Sequence, residues 1–301
     1  KINVFVNTLK ENSSIVKIFF VTSAIVFIIF IYTCINVYMF GSGNSIVLAV
    51  NKIISMPVMK IDGVYVHFLE YHEGKKNIEK IRQLNIPGII WVKQNDSIAE
   101  NFQRYKILIV HASKNKIPFK KNDIEYETQE FYRLVGGRDA GNKILSEKRI
   151  SNNNFIKYLI VPNIISKYLV RKDAENFSQW KEAYAKTEKI FSDVRSGTLE
   201  FSDAAILYSD HSSGVAGGDL GFIKRGTDMK VIQENAYEVN LGEISKIIKE
   251  YDGFYILRVT DIFEEHDMVR VSIIYINNGV NPIHIIDNIR KKSNSSIFVR
   301  R

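Results

Sequence analysis

Residues 255–276 read YILRVTDIFEEHDMVRVSIIYI. Two runs rich in β-branched and aromatic residues, YILRVTDIF (255–263) and MVRVSIIYI (268–276), stand on either side of the polar EEHD. Such runs favour strands, and a short polar segment between them favours a turn. The stretch therefore predicts an antiparallel hairpin. It places a sheet in a chain whose preceding part has mainly helical periodicity, so the predicted fold class is α+β.

Apolar residues recur at helical spacing over much of the chain before this hairpin. The clearest stripe, which stops at Gly197, consists of Trp180, Ala183, Tyr184, Thr187, Ile190, Phe191 and Val194. Similar stripes predict helices within 98–112, 124–135 and 155–169, the last of them kinked at Pro162. This part of the chain is therefore expected to be a helical region.

Turn and cap residues mark the shorter elements. An extended segment within 56–73 is expected to turn at Asp62-Gly63 into a helix, and Ser202 is expected to cap a short helix, SDAAILYS. Beyond the hairpin, NPIHIIDNIRKK (281–292) predicts a helix with an asparagine cap and a proline at its first position. The final SSIFVRR (295–301) predicts an edge strand.

An uncharged apolar run lies near the N-terminus. Residues 18–40 contain no charged side chain, and about 20 apolar residues suffice to cross a bilayer as a helix. The alternatives are a buried soluble helix or a signal peptide, but SGN at 42–44 is a poor cleavage site. Three lysines precede the run and no charge follows it before Lys52. Because positive charge stays cytoplasmic, the N-terminus is predicted inside and the chain from about residue 45 outside.

Composition excludes several classes of function. The net charge of +8 is spread along the chain, and no basic run with interleaved aromatics predicts nucleic-acid binding. The single cysteine, Cys34, allows no intrachain disulfide. His67 and His72 are five residues apart, which places them on different faces of a helix, and no metalloprotease signature follows them. No metal, no cofactor and no nucleic-acid partner is therefore expected.

Five of the seventeen glycines fall within GVAGGDLGFIKRG (214–226). A phosphate loop of the Walker type would end in Gly-Lys-Ser/Thr and would join a buried strand to a helix, and this segment does neither. Glycine also permits tight turns and the close approach of a second backbone. The segment is therefore interpreted as a tight-turn loop that presents Leu220 and Phe222 between its turns.

The loop belongs to an ordered set of four motifs. They are LYSDHSS (207–213), GGDLG (217–221), LGEIS (241–245) and GFYIL (253–257). In order and spacing this set closely resembles the parvulin peptidyl-prolyl isomerase domain. The upstream helices resemble, more loosely, the chaperone region of SurA-like and PrsA-like foldases. The closest pieces there are PVMKIDG (57–63), HASKNKIPFKKNDIE (111–125) and FIKYLIVPNIISKYL (155–169).

The resemblance implies a proline-binding groove that needs neither nucleophile nor cofactor. In the family an apolar pocket lies beside two histidines and a Cys or Asp. His211 falls on the Cys/Asp position and Tyr255 on that of the second histidine, so these two are the predicted catalytic residues. The predicted apolar substrate-binding residues are Leu220, Phe222, Ile232, Ile273 and Met229, the last of them after a one-residue slip from Asp228.

The first strand of the family, "VRaSHILI", has no counterpart before Trp180. The similar VRVSIIYI (269–276) lies at the C-terminal side instead. Since the family's first and last strands are neighbours in its sheet, a hairpin could join them, and we predict a circularly permuted, antiparallel four-stranded sheet with helices. Ile273 then takes the position of the first histidine, and both family histidines are absent.

The predicted organisation has four parts: a cytoplasmic N-terminus (1–17), a transmembrane helix (18–40), a helical SurA/PrsA-like chaperone region (41–177) and a parvulin-like domain with a C-terminal strand and helix (178–301). The predicted function is that of a membrane-anchored, extracytoplasmic folding factor for unfolded or proline-containing polypeptides. Whether it isomerises X-Pro bonds stays open, because the missing histidines favour reduced or absent catalysis. The alternatives are a holdase and an envelope scaffold that uses the domain to bind one partner.

Overall fold

The computed structural model of the chain describes residues 2–86, 88–224 and 230–299. The chain divides into two compact units. The first unit comprises Lys1–Glu79, Ile98–Phe102 and Ser293–Arg301, and the second comprises Lys80–Ser97 and Gln103–Lys292.

The first unit begins with a long apolar helix. Helix α1 (Ile2–Ile35) continues through a π-helical turn, Asn36–Phe40. Within it, Lys17–Phe40 has a mean hydropathy of 2.6 and only 6% of its hydrophobic window is buried by the rest of the chain. By length and composition this segment can cross a membrane. The predicted apolar helix is thus present, and the rest of the chain covers little of its apolar surface.

A small sheet follows the apolar helix. Helix α2 (Ser45–Ile53) leads into strand β1 (Pro57–Ile61), strand β2 (Val64–His67) and helix α3 (Phe68–Arg82). The predicted turn at Asp62-Gly63 is correct, with both residues at positive φ. It joins two strands, however, so the helix begins only at Phe68. The last strand of the chain, β7 (Ser295–Ile297), pairs with β1, which gives the order β2-β1-β7.

The second unit holds most of the helices. In chain order they are α4 (Ile98–Lys114, which begins in the first unit), α5 (Lys121–Leu134), α6 (Arg138–Glu147), α7 (Asn152–Phe155), α8 (Val161–Asp173), α9 (Ser178–Arg195), α10 (Phe201–Tyr208), α11 (Lys230–Ala236) and α12 (Pro282–Lys292). A π-helical turn, Ile156–Ile160, joins α7 to α8 immediately before Pro162, where the sequence predicts a kink.

The start of α10 differs from expectation. Glu200, not Ser202, occupies the N-cap position of α10, and Ser202 lies in the first turn of that helix. Helix α5 begins at Lys121, and its Asp123 carboxylate accepts a hydrogen bond from the Lys120 N–H. At the C-terminal helix the expectation is correct, because the Asn281 side-chain oxygen Oδ1 accepts a hydrogen bond from the Ile283 N–H.

The predicted four-stranded antiparallel sheet is present in the second unit. Its strands are β3 (Asp219–Lys224), β4 (Ile248–Lys249), β5 (Gly253–Phe263) and β6 (Met268–Asn277), in the order β3-β6-β5-β4. Strands β5 and β6 form the predicted hairpin, and β6 pairs on its other side with β3. Of the four strands of this sheet, the one that comes last along the chain, β6, is therefore an inner strand.

The two faces of this sheet bury different helices. Ile256, Ile274 and Ile276 pack with Ile190 of α9 and with Phe201, Ala204 and Ala205 of α10. On the opposite face, Leu257, Val259, Val271 and Ile273 pack with Ile232 and Ala236 of α11. Alternate residues of a strand point to opposite faces, so the hairpin supplies both clusters from one continuous run.

Candidate functional site

The glycine loop brings strand β3 against the inner strand. Gly218 has φ of +85°, and a Cβ there would lie 2.3 Å from the Ile273 carbonyl oxygen. The Ile273 N–H donates to the Gly218 carbonyl at 2.9 Å. Glycine is therefore required at this position both for its conformation and for the contact between backbones. This confirms the tight-turn interpretation of the loop.

The aspartate that follows these glycines holds the same two strands together. Asp219 accepts a 2.6 Å hydrogen bond from the Arg270 guanidinium and a 2.9 Å bond from the Gly221 N–H. The hydrogen bond from Arg270 is the main reason why the pKa of this carboxyl lies below its usual value. The aspartate of GGDLG thus has a structural part in this chain.

Residues 209–211 are fixed along the end of β6. The Ser209 hydroxyl accepts the Tyr275 N–H at 3.1 Å, and the Asp210 carboxylate accepts the Asn277 N–H at 2.8 Å. The Asp210 N–H in turn donates to the Tyr275 carbonyl. These bonds place His211 beside the end of the hairpin that carries Tyr255 and Tyr275.

His211 is held in one tautomer. Its Nδ1 accepts the Ser213 N–H at 3.1 Å, which caps the short 3-10 helix Ser212–Ala216. In the neutral ring the proton therefore resides on Nε2, which is free to donate. Burial, and secondarily the charge of Arg133, lower the pKa of His211 below its usual value. The ring is accordingly neutral at physiological pH.

An apolar cluster lies beneath the site. Tyr255 and Leu257 of β5 face Tyr275 and Ile273 of β6 in the sheet register. Leu220 and Tyr255 pack against the buried cluster that contains Ile232 and Ile273. Four of the predicted site residues, Leu220, Ile232, Tyr255 and Ile273, therefore meet on one face of the sheet.

A cavity of about 510 Å³ opens over this face. The predicted site residues that line it are His211, Ile232 and Tyr255. Leu220 and Ile273 belong to the cluster below, and Ile273 is fully buried. The remaining wall comes from helices α5 and α8, which contribute among others Tyr126, Glu127, Glu130, Leu134, Ile164, Lys167 and Tyr168. The sheet and two upstream helices thus enclose one cleft.

Helices α5 and α8 form the helical wall of the cleft, and ion pairs connect several of its charged side chains. Lys167 of α8 contacts both Glu127 carboxylate oxygens at 2.9 Å, and its ammonium lies 5.1 Å from the centre of the Tyr251 ring. Glu130 binds Arg133 on α5. The Lys167–Glu127 pair joins α8 to α5, the Glu130–Arg133 pair lies within α5, and together they leave an ordered polar surface opposite Tyr255.

The tyrosine of the predicted catalytic pair belongs to a polar cluster that the sequence did not reveal. The Tyr255 and Tyr275 rings are 4.6 Å apart. The Tyr255 hydroxyl donates to Asp252 Oδ2 at 3.4 Å, and the Tyr275 hydroxyl donates to the Asp252 carbonyl at 3.1 Å. Asp252 Oδ1 is buried without a hydrogen-bond partner.

Burial governs the protonation of this cluster. It raises the pKa of Tyr255 and of Tyr275 well above the ordinary phenol range, and the charge of Asp252 adds to both shifts. Burial also raises the pKa of the Asp252 carboxyl itself. The two phenols therefore remain hydrogen-bond donors throughout the physiological pH range, Tyr255 to the Asp252 carboxylate and Tyr275 to the Asp252 backbone carbonyl.

Two predicted residues are not part of this cleft as the structure describes it. Phe222 is 41% exposed and packs toward Phe263, with ring centres 6.3 Å apart. Regular strand alternation would place Phe222 on the same face as the half-buried Leu220, but the left-handed Gly221 and a register shift between Asp219 and Phe222 interrupt it. Met229 lies outside the described residues.

Comparison with known proteins identifies the domain. A family model described as a rotamase, PPIC-type PPIASE domain, matches residues 169–261. The chaperone SurA of Nitrosococcus oceani is 33% identical over 89 residues, which cover 30% of this chain and 21% of that protein. The foldase PrsA of Caldanaerobacter subterraneus subsp. tengcongensis is 23% identical over 175 residues, 56% of each chain. The matched part of the chain therefore spans about a fifth of the length of the first relative and a little over half of the length of the second.

A solved structure, the foldase PrsA from Streptococcus pneumoniae, aligns over 78% of this chain and 83% of its own, with 12% identity and a TM-score of 0.23. The sequence matches and the ordered motifs point to the same domain. Residues 169–261 thus belong to a parvulin-type rotamase domain, in a chain similar to the SurA and PrsA foldases.

Proposed function

We propose that the chain is a membrane-anchored, extracytoplasmic foldase that binds proline-containing segments of unfolded polypeptides in the cleft over Ile232 and Tyr255. The observation that carries the proposal is the position of this cleft. The sheet of the rotamase domain and helices α5 and α8 enclose it above an apolar cluster, and its lining includes His211 and Tyr255, whose hydrogen-bonding partners are defined.

Isomerisation of an X-Pro bond requires few chemical groups in the site that catalyses it. Rotation about the peptide bond faces a barrier of about 18–20 kcal/mol and breaks no bond. A catalyst has only to favour the twisted amide over the planar one. In the twisted state the prolyl nitrogen regains its lone pair and accepts a hydrogen bond, so a donor placed near it lowers the barrier.

The cleft offers two such donors. The Tyr255 hydroxyl stays protonated because burial raises its pKa, and the neutral His211 ring carries its proton on Nε2. The apolar surface around Ile232 would bury the pyrrolidine ring, and its low polarity strengthens any hydrogen bond made beside it. In this proposal Tyr255 and His211 contact the reacting amide, and the Tyr255 hydroxyl exchanges its 3.4 Å hydrogen bond to Asp252 for one to the prolyl nitrogen as the amide twists.

In this proposal a circular permutation of the domain explains why β6 is an inner strand of the sheet. The family match ends at residue 261, whereas β6 begins at Met268 and nevertheless pairs with both β3 and β5. This pairing supports the proposal that β6 replaces the family's first strand, with Ile273 at the position of its histidine.

A holdase is the second candidate, and the replaced histidines favour it. Ile273 is fully buried and apolar, so it supplies no polar group to the reaction. In that case the cleft would bind extended client segments without accelerating isomerisation. Binding alone requires only the apolar surface and the backbone groups around it.

Both candidates are tested by one set of measurements. The full chain in detergent is mixed with a short X-Pro peptide, and exchange between cis and trans forms is followed by NMR, together with peptide affinity. The foldase proposal expects faster exchange, and Tyr255→Phe should reduce the rate about tenfold while changing affinity little, as loss of one transition-state hydrogen bond does. Uncatalysed exchange with intact binding would leave the holdase, and the absence of binding would reject both.

A further inference from the structure

Helix α2 leaves an apolar face uncovered. Ile53 is 87% exposed, Ile46 is 52% exposed and Ala49 is also exposed. At about 100° per residue these three lie within roughly 60° of one another around the helix. We call this surface the outer face of α2. It lacks the charged residues that usually cover the solvent side of a helix.

The opposite side of α2 is packed against the protein. Val47 is fully buried, and the Asn51 side chain is buried with its amide bonded to the Val47 carbonyl. The Asn51 side-chain carbonyl also accepts the Met56 N–H at the start of the small sheet. The helix therefore has a fixed inner side, and its outer face cannot rotate inward without breaking these contacts.

The start of α2 is tied to the end of the apolar helix. Asn44 caps α2 by accepting the Val47 N–H, and its amide donates to the Tyr32 hydroxyl of α1 at 2.8 Å. The ring of His72 lies against Gly43, where a Cβ would be 2.2 Å from the imidazole. Tyr38 near the end of the apolar helix donates to the Pro57 carbonyl. Helix α2 is thus held next to the end of α1.

The short connection between the apolar segment and α2 limits how far the outer face of α2 can lie from the membrane. Only residues 41–44 separate the apolar segment Lys17–Phe40 from α2. The five residue steps from Phe40 to Ser45 reach at most about 18 Å, so α2 must begin within that distance of the end of the proposed span. On this side of the proposed span, residues 41–61 contain no acidic residue, and their charged residues are Lys52 and Lys60. Basic charge beside an apolar face is typical of helices that lie in a lipid interface.

We propose that α2 is an interfacial helix whose outer face (Ile46, Ala49 and Ile53) inserts into the membrane surface on the side where the span ends. The inference rests on the proposed membrane anchor and extends it. A span alone leaves the attached domain free to rotate about one point. A second contact through α2 would fix the orientation of the first unit on the lipid.

Site-specific fluorescence tests this contact. Because Cys34 is the only cysteine, a Cys34→Ser background allows single labels at Ile46→Cys, Ile53→Cys, Lys52→Cys and Val26→Cys in the full chain. Each is labelled with bimane and reconstituted into vesicles of phosphatidylcholine and phosphatidylglycerol. Lipids brominated near the glycerol end of their chains report shallow insertion, and iodide reports exposure to water.

The proposal expects the labels at positions 46 and 53 to be quenched by the brominated lipids and to be several-fold less sensitive to iodide than the label at position 52, which lies about 100° from Ile53 on the same helix. If positions 46, 52 and 53 are all quenched by iodide alone while position 26 is quenched by lipid, the interfacial helix is rejected and the span stands. Absence of lipid quenching at position 26 would reject the anchor itself.

Discussion

At the residue scale, the geometry of Gly218 explains why the loop that identifies the domain is rich in glycine. The residue combines a positive φ with an approach to the Ile273 carbonyl that excludes any side chain. Gly221 also has a positive φ, of +74°, but nothing lies within 4 Å of its hypothetical Cβ. A side chain at Gly221 would therefore meet conformational strain alone, whereas a side chain at Gly218 would meet both conformational strain and steric exclusion.

This difference gives a matched pair of variants. Gly218→Ala and Gly221→Ala should each lose roughly 1–2 kcal/mol of unfolding free energy, because an L-residue is strained at positive φ. Gly218→Ala should lose more, since β3 must also move away from β6. Urea denaturation monitored by circular dichroism measures both. Equal losses in the two variants would contradict the close approach at Gly218.

His211 gives a pH-dependent prediction. Its pKa is lowered in the folded state, mainly by burial, so the folded protein binds fewer protons than the unfolded chain in the range just below the ordinary value of 6.5. The stability contributed by the neutral ring is therefore complete above pH 6.5 and is lost as the pH falls through the lower folded pKa. His211→Asn keeps an acceptor for the Ser213 N–H but cannot titrate.

We therefore expect the wild type to lose stability relative to His211→Asn as the pH is lowered from 7 to 5, by at most about 1.4 kcal/mol per pH unit for one proton. His284→Asn, at an exposed position in α12, serves as the control and should follow the wild type. Denaturation midpoints over this pH range measure the difference. Parallel curves for the wild type and His211→Asn would show that the ring does not titrate in this way.

At the element scale, the hairpin and the long helices could be predicted because each has a clear period and composition. The partners of Tyr255 in the sheet could not be predicted from the sequence. Counting back from the predicted turn pairs Tyr255 with Ile276, but a bulge at Thr260 shifts the register by one residue and places Tyr275 opposite. A bulge of this kind leaves no reliable sequence signal, so the tyrosine pair and the role of Asp252 were missed.

The helical wall was missed for a different reason. Its residues come from α5 and α8, which lie before the four motifs in the sequence, and Glu127 is 40 residues from its partner Lys167. An ion pair at that separation depends on how the helices pack, which periodicity does not specify. The stripe of α5 predicts that an apolar face exists, not which element it meets.

The same wall can be tested by substitution. Leu134 of α5 lines the cleft and is 38% exposed, whereas Leu207 of α10 is 63% exposed and is not among the described lining residues. Leu134→Asp should weaken binding of a proline peptide about tenfold, because it removes apolar contact and adds a charge. Leu207→Asp should leave the affinity unchanged. Titration calorimetry compares them, and equal affinities would show that α5 does not form part of the binding site.

At the scale of the whole molecule, one chain contains an apolar helix, a small sheet and a rotamase domain. The lysines before the span and the absence of charge until Lys52 predict the N-terminus inside the cell. Protease added to intact spheroplasts should therefore digest the chain beyond residue 45 and spare a tag placed at the N-terminus. Protection of the rotamase domain, with loss of the tag, would reverse this topology.

The central claim is that the cleft face of the four-stranded sheet, and not its other face, holds the proline segment. Methyl NMR of the full chain in lipid nanodiscs measures this directly, because isoleucine methyls lie on both faces. On titration with an X-Pro peptide, the account predicts shifts at Ile232, Ile273 and Leu220, none at Ile190 and Ile274, and no shifts at all with the matched X-Ala peptide. Equal shifts on the two faces, or the same response to both peptides, would contradict it.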